Sequence, residues 1–177
     1  MENNGIILAN DKNIHSLVKS EITKLGIYAN LNHIDVSQIT DMTELFFCYQ
    51  FNGDISKWDI RNVKHSDYMF RGSKFNGDIS NWKFDNLVSA NEMFMNSEFN
   101  GDLSKWNVSK LMSASDMFFN SKFNGDISNW RFNADILIDE EMHRVIKHSN
   151  EIKLKKEISD LKDGIKSSAK NKFSYSL

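Results

Sequence analysis

The chain has 177 residues, 40% of them apolar and 26% charged, with a formal charge of −2. This composition fits one soluble globular domain and excludes a disordered chain; the near-balanced charge excludes a strongly basic nucleic-acid surface or a strongly acidic mimic as the dominant feature. Cys48 is the only cysteine, which rules out an intrachain disulfide, and proline is absent, so turns and helices must end on other residues.

Residues 1–10 hold a short apolar run, Ile6 to Leu8, without a basic n-region or an h-region of useful length. No signal peptide is expected. No stretch reaches the roughly 18 apolar residues of a membrane span, so a cytoplasmic location is expected, in the host cytoplasm if the protein is phage-encoded. Asp11 to Leu25 sets Ile14, Leu17, Val18, Ile22 and Leu25 at helical spacing, with Gly26 as the stop. Residues 1–26 are read as an N-terminal capping helix region.

The string Phe-Asn-Gly-Asp-(Ile/Leu)-Ser-(Lys/Asn)-Trp then occurs four times, starting at Phe51, Phe75, Phe99 and Phe123, each 24 residues after the last. A Met-Phe pair recurs with it at 69–70, 93–94 and 117–118. Running the register back gives a degenerate copy at 27–50, with Leu31, Ile34, Ile39 and Leu45-Phe46 in the apolar slots. Residues 27–134 are thus one repeat region. A lone repeat of this size buries no face by itself, whereas stacked neighbours do. Ile55, Ile79, Leu103 and Ile127 are expected to form one internal column, and Trp58, Trp82, Trp106 and Trp130 a second.

Within each copy the apolar steps of three, six and seven, as in Leu87, Ala90, Met93 and Phe94, predict a helix of about two and a half turns. Gly72, Asn96 and Asn120 are its expected left-handed stops. Asn-Gly at the head of each string predicts a turn followed by a short extended segment. The expected fold class is an α/β repeat solenoid, leucine-rich-repeat-like, with helical caps at both ends. Residues 135–177 supply the C-terminal cap and a frayed tail. Ile136 to His148 is one predicted helix. Glu151 to Ser168 is another, with Leu154, Ile158, Leu161 and Ile165 forming a narrow seam. That seam either folds back as a cap or joins a partner, including a second copy of this chain as a homodimer.

The repeated string closing on Met-Phe and reopening with Phe-Asn-Gly-Asp-Ile-Ser-x-Trp resembles the BspA-like leucine-rich-repeat family, the DUF285-type repeats. The segment from Leu31 to Ser37 is similar to that family's usual entry sequence. The resemblance covers about Ile27 to Phe132. It implies an α/β solenoid used for adhesion or protein contact, and it brings no catalytic residues.

Several residue sets offer chemistry. Asp54, Asp78, Asp102 and Asp126 form an acidic column that either binds a cation between repeats or accepts amides within its own turns; turn bonding is the stronger reading. Ser56, Ser80, Ser104 and Ser128 pair with no fixed base. The five histidines match no zinc spacing, and Cys48 is expected to be a buried, inert thiol. No metal and no cofactor are expected, and the chain is read as not an enzyme. The positions that vary between otherwise identical copies say more. Phe47, Arg71, Met95 and Phe119 follow the Met-Phe pair, and Tyr68 lies just before it. This column either faces outward as a contact patch or is core in a rotated helix. The function expected is protein binding through that column, as an intracellular or phage-encoded inhibitor or adaptor with an unidentified protein partner. The alternative is a nucleic-acid-associated protein, suggested by the lysines from Lys153 to Lys172, or a nucleic-acid mimic, suggested by the acidic column; the alternation of basic and acidic residues in the tail argues for a solvated helix instead. Surface adhesion ranks below both.

Overall fold

A computed structural model of the chain describes residues 5–174, with side chains from 5 to 162. Four regular elements occur among them: β1 (Ile7–Leu8), α1 (Ile14–Leu25), β2 (Ile34–Asp35) and α2 (Glu140–Ser174). β1 and β2 are parallel, pairing Ile7 with Ile34 and Leu8 with Asp35. Between β2 and α2 the chain is ordered by contacts at the repeat period. A column of parallel bridges joins Asp41 to His65, His65 to Ser89, Ser89 to Ser113 and Ser113 to Leu137, each step spanning 24 residues.

The short helix expected in each copy is absent. Its segment is a run of tight turns, with Leu45 N–H donating to Met42 O, Phe47 to Glu44 O and Tyr49 to Phe46 O. The alternate amides point to the next copy: Met42 donates to His65 O, Glu44 to Asp67 O, Phe46 to Met69 O and Cys48 to Arg71 O. The pattern repeats from Ser66 to Gly72 and from Ala90 to Asn96. An α-helix would satisfy its amides internally by i→i−4 bonds and leave none for the neighbour. Two residues in each copy take left-handed backbone to make this alternation: Glu44, Tyr68, Glu92 and Asp116 in one column, and Cys48, Gly72, Asn96 and Asn120 in the other. Glycine and asparagine accept that conformation at little cost. The second column does hold the expected stop residues, but they end turns rather than helices.

The Asn-Gly pairs are also not the expected turns. None of Gly53, Gly77, Gly101 and Gly125 has a positive φ. Glycine is needed there for close approach. A Cβ on Gly77 would lie 2.8 Å from the Phe75 ring and 3.1 Å from Gly53 O, and one on Gly53 would lie 2.0 Å from Ala29 O. The neighbouring asparagines build a ladder in which Asn52, Asn76 and Asn100 Oδ1 each accept the amide of the asparagine 24 residues on, at 2.8 Å.

Three aromatic ladders fill the interior. Trp58, Trp82, Trp106 and Trp130 stack at 6.2–6.5 Å between ring centroids. Phe46, Phe70, Phe94 and Phe118 stack at 5.3–5.6 Å, and Phe51, Phe75, Phe99 and Phe123 at 6.1–6.4 Å. Ile55, Ile79, Leu103 and Ile127 are buried beside them. Each buried aromatic contributes about 1.5–3 kcal/mol from apolar area. The indole N–H groups are satisfied as well: Trp58, Trp82, Trp106 and Trp130 donate to the carbonyls of Leu31, Ile55, Ile79 and Leu103, each 27 residues earlier.

Both ends of the stack are covered. α1 buries Ile14, Val18 and Ile22 on the first copy, and Asp11 accepts the Thr40 amide and hydroxyl at 2.8 and 2.7 Å. At the other end Met142 and Ser149 of α2 are buried, and Ser149 Oγ accepts the Ile127 amide at 3.1 Å. The two predicted C-terminal helices are one continuous helix. Nothing between His148 and Glu151 breaks it, and its backbone passes the expected fraying point at Ala169 to reach Ser174.

Trp82→Phe removes the donor to Ile55 O and part of the indole area. It should lower stability by about 2–3 kcal/mol, read as a drop in the urea unfolding midpoint. Gly77→Ala should cost about 1–3 kcal/mol through overpacking against Phe75, whereas Gly72→Asn, which matches Asn96 and Asn120 in its column and whose Cβ would meet the exposed Cys48 Sγ at 3.0 Å, should cost clearly less. Equal effects of the two glycine substitutions would contradict this packing.

Candidate functional site

The acidic column is used inside its own turns. Asp54, Asp78, Asp102 and Asp126 Oδ1 accept the amides of Ser56, Ser80, Ser104 and Ser128 at 2.8–2.9 Å. These bonds hold the carboxyls of Asp54, Asp78 and Asp102 below their ordinary value. At Asp54 and Asp102 the largest cause is the amide two residues on; at Asp78 it is the Ser80 hydroxyl. Among the described residues no group of three or more His, Cys, Asp or Glu side chains is arranged to hold a metal ion. His33 Nε2 is 2.9 Å from Glu21 Oε2, under the N-terminal cap, and His143 Nδ1 is 2.8 Å from Asp139 O at the start of α2. Cys48, expected to be buried, is exposed; its left-handed backbone places it on the outer side of the turn ladder.

The variable column is the most distinctive surface. Phe47, Arg71, Met95 and Phe119 occupy equivalent places in four successive copies, each closing a turn with the residue three before it: Glu44, Tyr68, Glu92 and Asp116. Phe47 is 38% and Phe119 44% exposed, and Tyr68, Arg71 and Met95 are half-buried. The reading that made this column core is therefore corrected: the turn ladder sends the Met-Phe pair inward and the next residue outward. The Arg71 guanidinium lies 5.8 Å from the Phe47 ring centroid and 5.6 Å from that of Tyr68. Arg71 Nη1 is 2.8 Å from Glu92 Oε2. All five sequence-selected residues are thus on one face. Glu92, which fixes Arg71, stands in the same variable column as Tyr68, with Glu44 and Asp116, and is the member that the selection of contact residues left out.

The strip is preorganised. Its backbone is bonded both within each turn and to the adjacent copy, so little conformational freedom remains to be lost on binding. It offers aromatic and thioether area beside a fixed cation and three carboxylates, and it presents no nucleophile–base pair.

The C-terminal seam lies elsewhere. Leu154, Ile158 and Leu161 are exposed on α2, so capping falls to the earlier turns of the helix and the seam does not fold back onto the repeats. The side chain of Ile165 lies outside the described residues. Among the described residues no helix is long and apolar enough to cross a membrane.

A family model described as "Mycoplasma protein of unknown function, DUF285" matches residues 13–130 and again 47–159. The chain belongs to that family. No curated protein and no solved structure matches the chain.

Carboxyls held below their ordinary value of 3.8 in the folded state stabilise the fold above that pH, and their contribution is lost as pH falls through the folded values. The thermal midpoint should therefore stay level down to about pH 5 and fall below about pH 4. A variant carrying Asp78→Asn and Asp102→Asn keeps both acceptors without the titration, so its midpoint should fall less steeply in acid. An unchanged acid slope would contradict this role for the column.

Proposed function

We propose that the protein is a non-enzymatic protein-binding module that presents the strip from Phe47 to Phe119 to a protein partner. The observation that carries this reading is the exposure of Phe47 and Phe119 on a rigid turn ladder whose inner faces are otherwise closed. Aromatic residues and arginine are the types enriched in binding hot spots, and the Arg71–Glu92 pair with its two flanking rings gives such a spot fixed geometry. In this reading the 24-residue copies stack as a solenoid of turns, with helices only at its two ends, of the BspA-like leucine-rich-repeat kind, and the protein acts in the cytoplasm as an inhibitor or adaptor. The turn-bound state of the acidic column favours contact over catalysis.

Affinity capture tests this. The wild-type chain is compared with a variant carrying Met95→Asp and Phe119→Asp in a bacterial lysate, beginning with a mycoplasma because the family description names one. Both positions lie outside the core, so the variant should keep its near-ultraviolet tryptophan signal while losing at least about tenfold in capture of a protein partner, as hot-spot truncations do. Capture of the same proteins by both forms, or of none by the wild type, would contradict the reading.

A further inference from the structure

α2 changes character along its length. Its first turns bury Met142 and Ser149 against the last copy. Beyond them Leu154, Ile158 and Leu161 are 56%, 43% and 68% exposed. Single exposed apolar residues are ordinary; these recur, with Ile165 next in sequence, at steps of four, three and four. That is the a/d spacing of a coiled coil, with Leu154 and Leu161 at d and Ile158 and Ile165 at a. A β-branched residue at a with leucine at d selects two parallel strands. The flanking charges agree. Glu157 falls at g and Lys162 at the following e, the two positions that meet across a parallel dimer. An antiparallel pair would set e against e, bringing Lys155 and Lys162 together.

We propose that the protein forms a parallel homodimer through the 154–165 stretch of α2, with Glu157 of each copy facing Lys162 of the other. The seam is about 17 Å long, so the dimer is reversible and concentration-dependent. Both repeat stacks then sit at the same end of the paired helices. The inference is independent of the proposed contact strip and stands on different residues.

Sedimentation velocity of the full chain, from about 1 µM to several hundred micromolar, tests it. The wild type should pass from monomer to dimer, and Ile158→Lys should remain monomeric with an unchanged near-ultraviolet tryptophan signal. Leu161→Gln, a milder change, should also weaken the dimer. Glu157→Lys alone should raise the dissociation constant about two- to fivefold, and adding Lys162→Glu should restore it. Phe119→Asp should dimerise as the wild type does, which separates this inference from the contact strip. A monomer at every concentration, a dimer that survives Ile158→Lys, a larger species, or a charge swap without rescue would each overturn the proposal.

Discussion

Alternate amides in each turn ladder have their acceptors in the next copy, 23 residues further along the chain. The Phe46 amide meets Met69 O, the Phe70 amide meets Met93 O and the Phe94 amide meets Met117 O, all at 2.9 Å. A buried amide without a partner costs about 1–3 kcal/mol, so a copy lacking its neighbour would carry several such costs together. The period of 24 is therefore a hydrogen-bonding register as well as a packing distance, and one inserted residue would break both. The same dependence explains the ends. Where no further copy follows, Leu137 O and the Asp139 carboxylate take the amides of Ala114 and Asp116. At the start, the Ile7 and Ala9 amides of β1 and its flank reach His33 and Asp35 of the first copy.

This backbone arrangement decides what faces inward and what faces out. Turns with a left-handed residue at every fourth position carry Leu45, Phe46, Met69 and Phe70 into the interior, where rings one period apart lie nearly parallel. The residue that follows each pair, Phe47, Arg71, Met95 or Phe119, is left at the surface. Interior positions repeat because each must match the ring above and below it. The outward column escapes that demand and varies, and its members share a surface because the register is strict. The proposed binding role and the rigidity of the core have this common origin.

Much of the architecture was readable in the sequence. Four copies of one eight-residue string exposed the period, and identical residues at identical places pointed to the tryptophan, phenylalanine and isoleucine columns. The spacing of Ile14, Val18 and Ile22 and the glycine at 26 marked α1. The turn ladder was not readable as such, because apolar steps of three and four suit a helix and a run of i→i+3 turns alike, and the difference lies in amides that bond across copies. The Asn-Gly pairs misled for a related reason. Glycine at Gly77 answers to the Phe75 ring 2.8 Å from its missing Cβ, a tertiary cause that imitates a turn signal. Variation along the strip from Phe47 to Phe119 sets it apart in the sequence, but its outward direction depends on the ladder, which the sequence pattern does not reveal. Cys48 was misplaced on the same account.

Scalar couplings across hydrogen bonds in isotopically labelled protein test the register most directly. The account requires couplings from the Phe46, Phe70 and Phe94 amide nitrogens to the carbonyl carbons of Met69, Met93 and Met117. Couplings from those same amides to carbonyls four residues earlier in their own copies would instead mean independent short helices, and the ladder, with everything placed on it, would be wrong.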